Sequence, residues 1–526
     1  MSTQLLIGGR FYSSSSPDAT AMAVTDGTVV FLGAEAPGRA MHPDAEIIDL
    51  DGAFVAPAFV DPHVHVTALG LRLTGLDLTD SASLADALAA LRAYASTHPD
   101  GVIIGEGWDN TRWPEHRPPT VAELDEAAGP GRLVYLARVD AHSAVASSAL
   151  LAAAGVAGTS GPVTADAHHR VRRVALDSLT PAQRATARTA ALDHAASKGI
   201  VAVHENAGPD ISGRADLAEL LAFDHGVAVR TYWGQAVRTA DEARALIAEL
   251  GVDALGGDLF VDGSLGSHTA LLRDPYVDAA TTGTSYLDVD AITDHLRACT
   301  QAGIQAGFHA IGDAAIDRVV AAFTRVADEL GGPAVASLGH RVEHAEMVDQ
   351  NAIDTFARLG VIASVQPGFD AEWGGGDGMY AARLGTERAA TLNPFAAMAA
   401  AGVSLAIGSD APVTSLDPWA AIQAAVHHRT SGHGLSPRAA FAAATRGAWR
   451  AGGVRDGLAG TLVPGAPASY TVWDAGDLVV AAAADTVQRW STDPRSRVPG
   501  LPVLDPGAKL PTALRTVRDG VTICRA

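Results

Sequence analysis

The chain has 526 residues, of which 48% are hydrophobic and 18% are charged, so it can bury a large core and is not a disordered chain. Its formal net charge of -21, without any basic run or basic–aromatic stripe, argues against a nucleic-acid partner. The two cysteines, Cys299 and Cys524, exclude a disulfide framework and a thiolate metal cluster. Residues 1–16 lack a basic leader and no stretch approaches the apolar length of a membrane span, so we expect a cytoplasmic protein without a membrane partner.

Both ends of the chain have strand character. Short apolar runs surround Asp26-Gly27, and this dipeptide between alternating runs is a strong hairpin signal. The runs are Gln4–Ile7, Thr20–Val24 and Thr28–Leu32 at one end, and Pro464–Trp473 and Leu514–Cys524 at the other. We therefore expect a small β-sandwich domain built from residues 1–57 and 458–526.

The middle of the chain alternates between β-branched runs and Ala-rich amphipathic stretches. The runs are Phe59–His65, Ile200–Glu205, Val227–Trp233, Gly257–Asp262, Ile304–His309, Leu338–His344, Val361–Gln366 and Val403–Ser409. The helical stretches between them include Thr180–Ser197, Ala240–Glu249, Val289–Ala302, Ala314–Leu330 and Asp417–His428. Eight strands separated by helices are typical of the α/β fold called the (β/α)8 TIM barrel, which we assign to residues 58–75 and 174–457.

One connection, from His65 to Ile200, is far longer than a barrel crossover needs. It contains Trp108 and Trp113 beside a Pro-rich turn. We expect residues 76–173 to form an inserted subdomain after the first barrel strand, over the active-site mouth. The alternative is an elaborated surface loop.

Polar side chains follow most of the predicted strands. In barrels of this kind the active site lies at the C-terminal strand ends, and His63 and His65, one residue apart there, share a face. The other strand ends carry Glu205 beside His204, Asp258 with Asp262, His309, His344 and Asp410. Any one of these alone is better explained as a core or loop residue, but the set predicts a divalent metal site.

The predicted chemistry follows from the ligand types. Imidazole and carboxylate ligands suit Zn2+ and similar ions. Such an ion lowers the pKa of a bound water towards ~7 and polarises a scissile carbonyl. A nearby carboxylate then accepts the proton and delivers it to the leaving nitrogen. Asp410 is the best candidate for this general base.

Eight short motifs extend along nearly the whole chain. They are Asp61-Pro-His-Val-His65, Gly107-Trp-Asp-Asn-Thr-Arg-Trp113, Leu136-Ala-Arg-Val-Asp-Ala-His142, Asp262-Gly-Ser-Leu-Gly-Ser-His-Thr-Ala270, His309-Ala-Ile-Gly-Asp-Ala-Ala315, His340-Arg-Val-Glu-His344, Val365-Gln-Pro367 and Gly408-Ser-Asp-Ala-Pro412. As an ordered set they resemble the amidohydrolase superfamily, and in detail amidohydrolase family 3, the branch that contains N-substituted formamide deformylases.

The resemblance implies a metal-dependent barrel that hydrolyses a C–N bond, usually an amide, of a small-molecule substrate. By motif match, His63, His65 and Asp410 would bind one metal. His309 and His344 would bind a second, or orient water and substrate. The residues expected to contact the substrate are Trp108, Asp109, Trp113, His142, Gln366 and Trp373.

Asp258 departs from the family pattern. It stands where the family commonly has a lysine, which in binuclear members of the superfamily bridges two metals. Asp258 bridges a tighter pair of ions, or the protein holds one ion on the other ligands with His344 free, or the site is degenerate. The substitution favours one ion, because the other ligands are intact.

Three functions are compatible with this pattern. The first is an amide or formamide hydrolase, with Phe369, Trp373 and Tyr380 favouring an aromatic or hydrophobic N-substituent. The second is a mononuclear deaminase of a small heterocycle, which would release ammonia. The third is a binding protein on a degenerate barrel, against which the full ligand set argues. Barrels of this kind often associate, so a homo-oligomer also stays open.

Overall fold

The structure, a computed structural model, describes residues 3–110, 112–138, 143–156, 158–209, 211–480 and 498–526. The chain divides into two compact units, Met1–His65 with Leu192–Ala526, and Val66–Ala191. The second unit extends beyond the predicted insert, 76–173, at both ends. The predicted domain boundaries therefore stay a prediction.

The N-terminal residues form short strands and one helix. In chain order these are β1 (Thr3–Ile7), β2 (Arg10–Phe11), β3 (Ala21–Thr25), β4 (Thr28–Gly33), α1 (Glu35–Met41), β5 (Glu46–Asp49) and β6 (Phe54–Pro57). Asp26 and Gly27 join β3 to β4 with φ of 48° and 77°, which is the left-handed pair that a two-residue hairpin turn needs. The hairpin predicted from this dipeptide is confirmed.

The first strand of the central region, β7 (Phe59–Val64), is followed by the elements around the unit Val66–Ala191. They are α2 (Val66–Thr74), β8 (Leu76–Asp77), α3 (Leu84–Thr97), β9 (Ile103–Trp108), α4 (Val121–Ala128), β10 (Val134–Arg138), β11 (Ser143–Ala146), α5 (Ser148–Ala153), β12 (Val163–Thr164), α6 (Ala165–Asp177) and α7 (Pro181–Ser197). The sheet order is β12-β11-β10-β9-β8. Because side chains alternate along β10, Leu136 faces one apolar core and Tyr135 faces another.

Seven more central strands alternate with helices. They are β13 (Ile200–Ala207), α8 (Gly213–Leu221), β14 (Ala228–Trp233), α9 (Ala240–Leu250), β15 (Ala254–Leu255), α10 (Val289–Ala302), β16 (Gly307–Ala310), α11 (Asp313–Leu330), α12 (Gly332–Ala336), β17 (Arg341–His344), α13 (Gln350–Leu359), β18 (Ile362–Val365), α14 (Pro367–Trp373), α15 (Met379–Leu384), α16 (Thr386–Ala389), α17 (Phe395–Ala400), β19 (Ser404–Ile407), α18 (Pro418–Val426), α19 (Pro437–Ala442), a π-helix (Ala443–Gly447) and α20 (Ala448–Ala451). The parallel strands form two sheets, ordered β15-β14-β13-β7 and β16-β17-β18-β19. The expected TIM-barrel-like α/β fold is therefore present.

The helices start and stop at the residue types that favour these positions. The side chain of Asp288 accepts the N–H of Ala291 at 2.8 Å at the start of α10. The same helix ends at Gly303, whose φ of 74° strains residues that carry a Cβ. Helices α9 and α13 also begin at a capping side chain and end at a glycine with positive φ, so the chain turns directly towards the strand that follows.

The fourth central strand is shorter than predicted, and it ends before the predicted run begins. The run Gly257–Asp262 was expected to be the strand, but β15 covers only Ala254–Leu255. Gly256 and Gly257, with φ of 150° and 70°, turn the chain out of the sheet, and a Cβ at Gly256 would lie 2.2 Å from the backbone of β16. Beyond them, Phe260 makes one isolated bridge to β16.

The C-terminal strands are β20 (Tyr470–Asp474), β21 (Leu478–Val479), β22 (Leu501–Pro502), β23 (Thr512–Arg518) and β24 (Val521–Arg525). One sheet, β4-β3-β1-β5, is N-terminal, whereas the other, β2-β6-β20-β23-β24, mixes strands from both ends of the chain. Leu6, Met22, Val55, Val472 and Val517 from these two sheets share one apolar core. Among the described residues, no helix combines the length and apolarity that a membrane crossing requires.

Candidate metal centre

Two histidines project from the end of β7. His63 is the second-last residue of the strand and is fully buried, whereas His65 follows the strand and has 15% of its side chain exposed. Their ring centroids are 5.5 Å apart. The strand that carries them is buried at every position, which gives the two rings a rigid support.

Asp410 reaches the same place from the end of β19. Its N–H donates to the carbonyl of His63 at 2.8 Å, and the carboxylate of Asp61 accepts the N–H groups of His63 and Ser409 at 3.1 Å each. These bonds hold Asp410 at φ 55°, a conformation that non-glycine residues rarely adopt and that clusters at functional sites. Its Oδ1 lies 3.4 Å from His63 Nε2 and 3.3 Å from His65 Nε2.

Asp258 lies among three histidines. Its Oδ1 is 3.5 Å from His63 Nε2 and 3.8 Å from His344 Nε2, and its Oδ2 is 3.3 Å from His65 Nε2. Burial raises the pKa of Asp258, but the charge of His63 and the close contacts with His344 and His65 outweigh burial and hold it well below its usual range. The carboxylate is therefore ionised and ready to bind a cation.

His309 is the second-last residue of β16 and His344 is the last residue of β17, and their ring centroids are 4.5 Å apart. His344 Nδ1 is 2.8 Å from Gln366 Oε1, and Gln366 Nε2 donates to the carbonyl of Ser364. The oxygen of Gln366 is thus an acceptor, so His344 carries its proton on Nδ1 and directs Nε2 towards Asp258. Both ends of the Gln366 amide are engaged within the protein, which favours a role in orienting His344, and its role in substrate binding stays a prediction.

The predicted ligands form three overlapping groups whose donor atoms lie within 4.8 Å of one another. The groups are His63, His344 and Asp410; His63, His65 and Asp258; and Asp258, His309 and His344. Five buried atoms in them have no hydrogen-bond partner: His63 Nε2, His65 Nδ1, Asp258 Oδ1, His309 Nδ1 and Asp410 Oδ1. Buried polar atoms without partners are costly, and a set of imidazoles and carboxylates is what Zn2+ and similar ions bind. The residues therefore fit a divalent metal.

The electrostatics of the histidines agree with this fit. Burial lowers the pKa of His65, but its close contacts with the carboxylates of Asp258 and Asp410 outweigh burial and raise the pKa to about 10. The pKa of His63 is raised in the same way. A protonated imidazole cannot bind a metal, so protons and a divalent cation compete for these carboxylate-rich positions.

A buried ion pair of Glu343 and Arg341 contacts His63 on its Nδ1 side. His63 Nδ1 is 3.0 Å from Glu343 Oε2, and the Arg341 guanidinium donates to both oxygens of Glu343, at 2.8 and 2.7 Å. Burial raises the pKa of Glu343, but the charge of Arg341 outweighs burial and lowers it to about 2. The remaining Arg341 N–H groups donate to His204 Nδ1 (3.0 Å), Pro62 O (2.7 Å) and Ser364 Oγ (3.1 Å). Glu343 therefore stays ionised and turns His63 Nε2 towards Asp258 and Asp410.

We expect Glu343→Gln to weaken metal binding by about 10- to 100-fold, the usual effect of losing a partner of a metal-bound histidine. The amide would present an N–H group to Arg341, which has only donors, and would release His63. Titration with a competing chelator measures the affinity, and a thermal melt checks that the variant folds. The exposed Glu387→Gln is the matched control. An unchanged affinity in Glu343→Gln would contradict the role given to this carboxylate.

Two other strand-end residues have structural partners. The carboxylate of Asp262 accepts the backbone N–H groups of Leu271, Ile311 and Gly312, at 2.8, 3.0 and 2.8 Å, and so ties two loops together. His204 accepts from Arg341 and is buried, and burial together with Arg341 lowers its pKa well below the usual value. Both residues thus support the ligands from behind, and Glu205, beside His204, is buried as well.

The residues predicted from the insert behave differently. Trp108 and Trp113 are each 1% exposed in the core of the unit Val66–Ala191, and their indole N–H groups donate to backbone carbonyls at 2.8 and 2.9 Å. This burial favours a role for both tryptophans as ordinary core residues over a role in lining the substrate pocket. Asp109 pairs with Arg138 at 3.1 Å. His142 lies outside the described residues.

Aromatic side chains flank the pair His309 and His344. The ring of Phe369 stacks on His344 with centroids 5.7 Å apart, and the partly buried Trp373 lies 5.0 Å beyond it. On the other side, the partly buried Phe260 lies 4.8 Å from His309. Phe260 follows the glycines that shorten β15 and was not predicted as a site residue from its sequence.

The comparisons with known proteins agree with this site. Residues 46–524 match the sequence profile of the Amidohydrolase family. The chain is 28% identical to YtcJ of Bacillus subtilis (strain 168) over 74% of this chain and 76% of that protein. It is 26% identical to the N-substituted formamide deformylase of Arthrobacter pascens over 81% and 83%. An uncharacterised metal-dependent hydrolase from Pyrococcus furiosus superposes with a TM-score of 0.73 at 26% identity, covering 89% of this chain and 98% of that one. The chain therefore belongs to the amidohydrolase family and is a metal-dependent hydrolase that acts on carbon–nitrogen bonds.

Proposed function

We propose that this protein hydrolyses the amide or formamide C–N bond of a small N-substituted substrate, with Asp410 as the general base. The observation that carries the proposal is the convergence of Asp410 and Asp258 on His63, His65 and His344, with donor atoms 3.3–3.8 Å apart. A bound divalent ion, for which Zn2+ is our choice, would activate water and polarise the scissile carbonyl. The similarity to an N-substituted formamide deformylase supports the formamide class.

The side chains divide the remaining work. The Asp410 carboxylate accepts the proton of the attacking water and passes it to the leaving nitrogen, which an amine needs in order to depart. His344, fixed by Gln366, keeps a constant orientation beside Asp258 and helps to position the carbonyl group. Glu343 holds His63 in the same way.

The flanking rings support a hydrophobic N-substituent. Phe260 beside His309, and Phe369 with Trp373 beside His344, would present apolar surface next to the reacting carbon. Apolar walls with a few fixed polar groups are typical of small-molecule sites. An aryl or alkyl group on the nitrogen fits these walls better than a charged one.

We further propose that the site holds two ions with Asp258 between them. Two of the three metal-capable groups share Asp258 and no other residue, and His344 belongs to two of them. A single ion that leaves His344 free would not account for a carboxylate that is shared by two ligand groups, or for a histidine that belongs to two of them. A carboxylate that faces different histidines with its two oxygens supports a shared ligand instead.

We also propose that the central strands form a closed barrel and that the two chain ends form a β-sandwich domain. The bridges Val64–Ala411 and Leu255–Ala306 link the edge strands of the two four-stranded sheets, which supports a closed (β/α)8 barrel. The shared core of the two terminal sheets supports a β-sandwich domain from both chain ends.

The test is hydrolysis of formanilide by protein that has been stripped with a chelator and then reloaded with Zn2+. We expect the reloaded protein to release formate and aniline in equal amounts and the stripped protein to release neither. Ammonia release from an aminated heterocycle, without formanilide turnover, would replace the proposal by a deaminase. Full ion loading without turnover of either class would favour the binding protein.

A further inference from the structure

A cavity of about 480 Å³ opens at the opposite end of β19 from Asp410. Its apolar floor includes Val403, Leu405 and Leu435, and its rim carries Arg446, Arg450 and Arg455. The volume lies within the range of small-molecule sites, about 300–1,000 Å³. The floor and rim together make a pocket that is apolar at the bottom and cationic at the entrance.

The cavity is separate from the metal centre. Ser404, the first residue of β19, lines the cavity, whereas Asp410 follows the last residue of the same strand. At about 3.3 Å per residue the two ends of the strand are about 10 Å apart, and Asp410 lies three residues beyond its C-terminal end. The N-terminal ends of barrel strands do not carry the chemistry of such folds, so a ligand here would not be the substrate.

The charges at the rim are not balanced by the described residues. Arg446 lies in the last turn of the π-helix and Arg450 lies four residues later in α20, a spacing at which like charges repel along a helix. In the described part of the chain, neither forms an ion pair or a side-chain hydrogen bond. The one carboxylate in the lining, Asp456, accepts the N–H groups of Leu458 and Ala459 at 2.8 and 3.0 Å. Two uncompensated guanidinium groups in a chain of net charge -21 are a local attraction for anions.

We infer that this cavity binds a small organic anion, with an oxyanion head on the arginines and an apolar body on the floor. Guanidinium groups bind carboxylate and phosphate oxygens through paired, charge-assisted hydrogen bonds. The apolar floor requires a hydrocarbon body as well, which excludes inorganic anions as the preferred ligand. Medium-chain or aromatic carboxylates have both parts. The inference is independent of the proposed reaction.

The experiment is calorimetric titration of the full chain with hexanoate at low salt. The probes for comparison are hexanamide, which has the body without the charge, and inorganic phosphate, which has the charge without the body. We expect hexanoate to bind clearly more tightly than either probe. Equal binding of hexanoate and hexanamide, phosphate binding as tight as hexanoate, or no binding of hexanoate at millimolar concentration would each overturn the inference.

Paired variants locate the site. We expect the double variant Arg446→Gln/Arg450→Gln to weaken hexanoate binding at least about tenfold, because two charge-assisted contacts are lost. Arg438→Gln, an exposed arginine of α19 outside the lining, should bind hexanoate as the wild type does. Both arginines of the double variant are exposed, so an unchanged melting curve is expected, and Arg446→Lys/Arg450→Lys should recover part of the binding. Unchanged affinity in the folded double variant would show that hexanoate binds elsewhere.

Discussion

Asp410→Asn is expected to lower kcat by about 10²- to 10⁴-fold, the usual contribution of a positioned general base, while the metal stays bound. Asparagine keeps the shape of the side chain and one ligating oxygen, so the neighbouring histidines retain their ion. It cannot accept the proton of the attacking water. Steady-state hydrolysis of formanilide and elemental analysis of the same preparation measure both parts of the prediction.

The ionisation of Asp410 also predicts the pH range over which the variant should lose activity. Burial raises the pKa of Asp410, but the positive charge of His63 outweighs burial and lowers the pKa below the usual value. A bound ion, whose histidine ligands must be neutral, would supply the positive charge in place of His63, so the wild-type carboxylate is ionised at neutral pH with or without the ion. Loss of activity in Asp410→Asn should thus appear across the neutral range and not only at acidic pH.

The control for this variant is Asp290→Asn. Asp290 lies in α10, and its side chain is 85% exposed in a surface pair with Arg325. Removing its charge should leave both kcat and metal content unchanged, since exposed pairs contribute little. Turnover of Asp410→Asn close to that of Asp290→Asn would refute Asp410 as the base. Loss of metal from Asp410→Asn would make it chiefly a ligand.

Much of the fold was predictable because its signals are local. The alternation of β-branched runs and amphipathic stretches has the period of parallel strands and helices, and Asp26-Gly27 specifies its turn by its own backbone preference. The error at β15 has a local cause too. The strand was predicted to begin at Gly257, whereas the positive φ of Gly256 and Gly257 ends the strand just before that run.

The cluster of candidate ligands was predictable because its residues lie at or just beyond strand ends, and parallel strands bring their ends together. Glu343 and Arg341 were missed as functional residues although their motif was recognised. The available signal was two opposite charges in alternate positions of a predicted strand, which places both side chains on the same face. Burial of Trp108 and Trp113 had no such signal, because aromatic residues beside a Pro-rich turn occur in lids and in cores alike.

We expect the wild type to hold about two ions per chain and Asp258→Asn about one, because a shared carboxylate neutralises part of the charge of both ions in a two-metal site. Asparagine at 258 keeps the volume but loses the charge that faces His63, His65 and His344. Elemental analysis after dialysis against chelator-free buffer gives the stoichiometry. The control is again Asp290→Asn, which should match the wild type.

The position of the backbone explains how so short a side chain can serve two ions. The chain leaves the sheet at Gly256-Gly257, so Asp258 stands beyond the end of β15 and not within the strand. Its carboxylate therefore reaches three histidines at 3.3–3.8 Å without the length of a lysine. One ion per chain in both the wild type and Asp258→Asn would contradict the two-ion proposal and favour a site with a single metal. In that case Asp258 would balance the charge of the histidines without bridging.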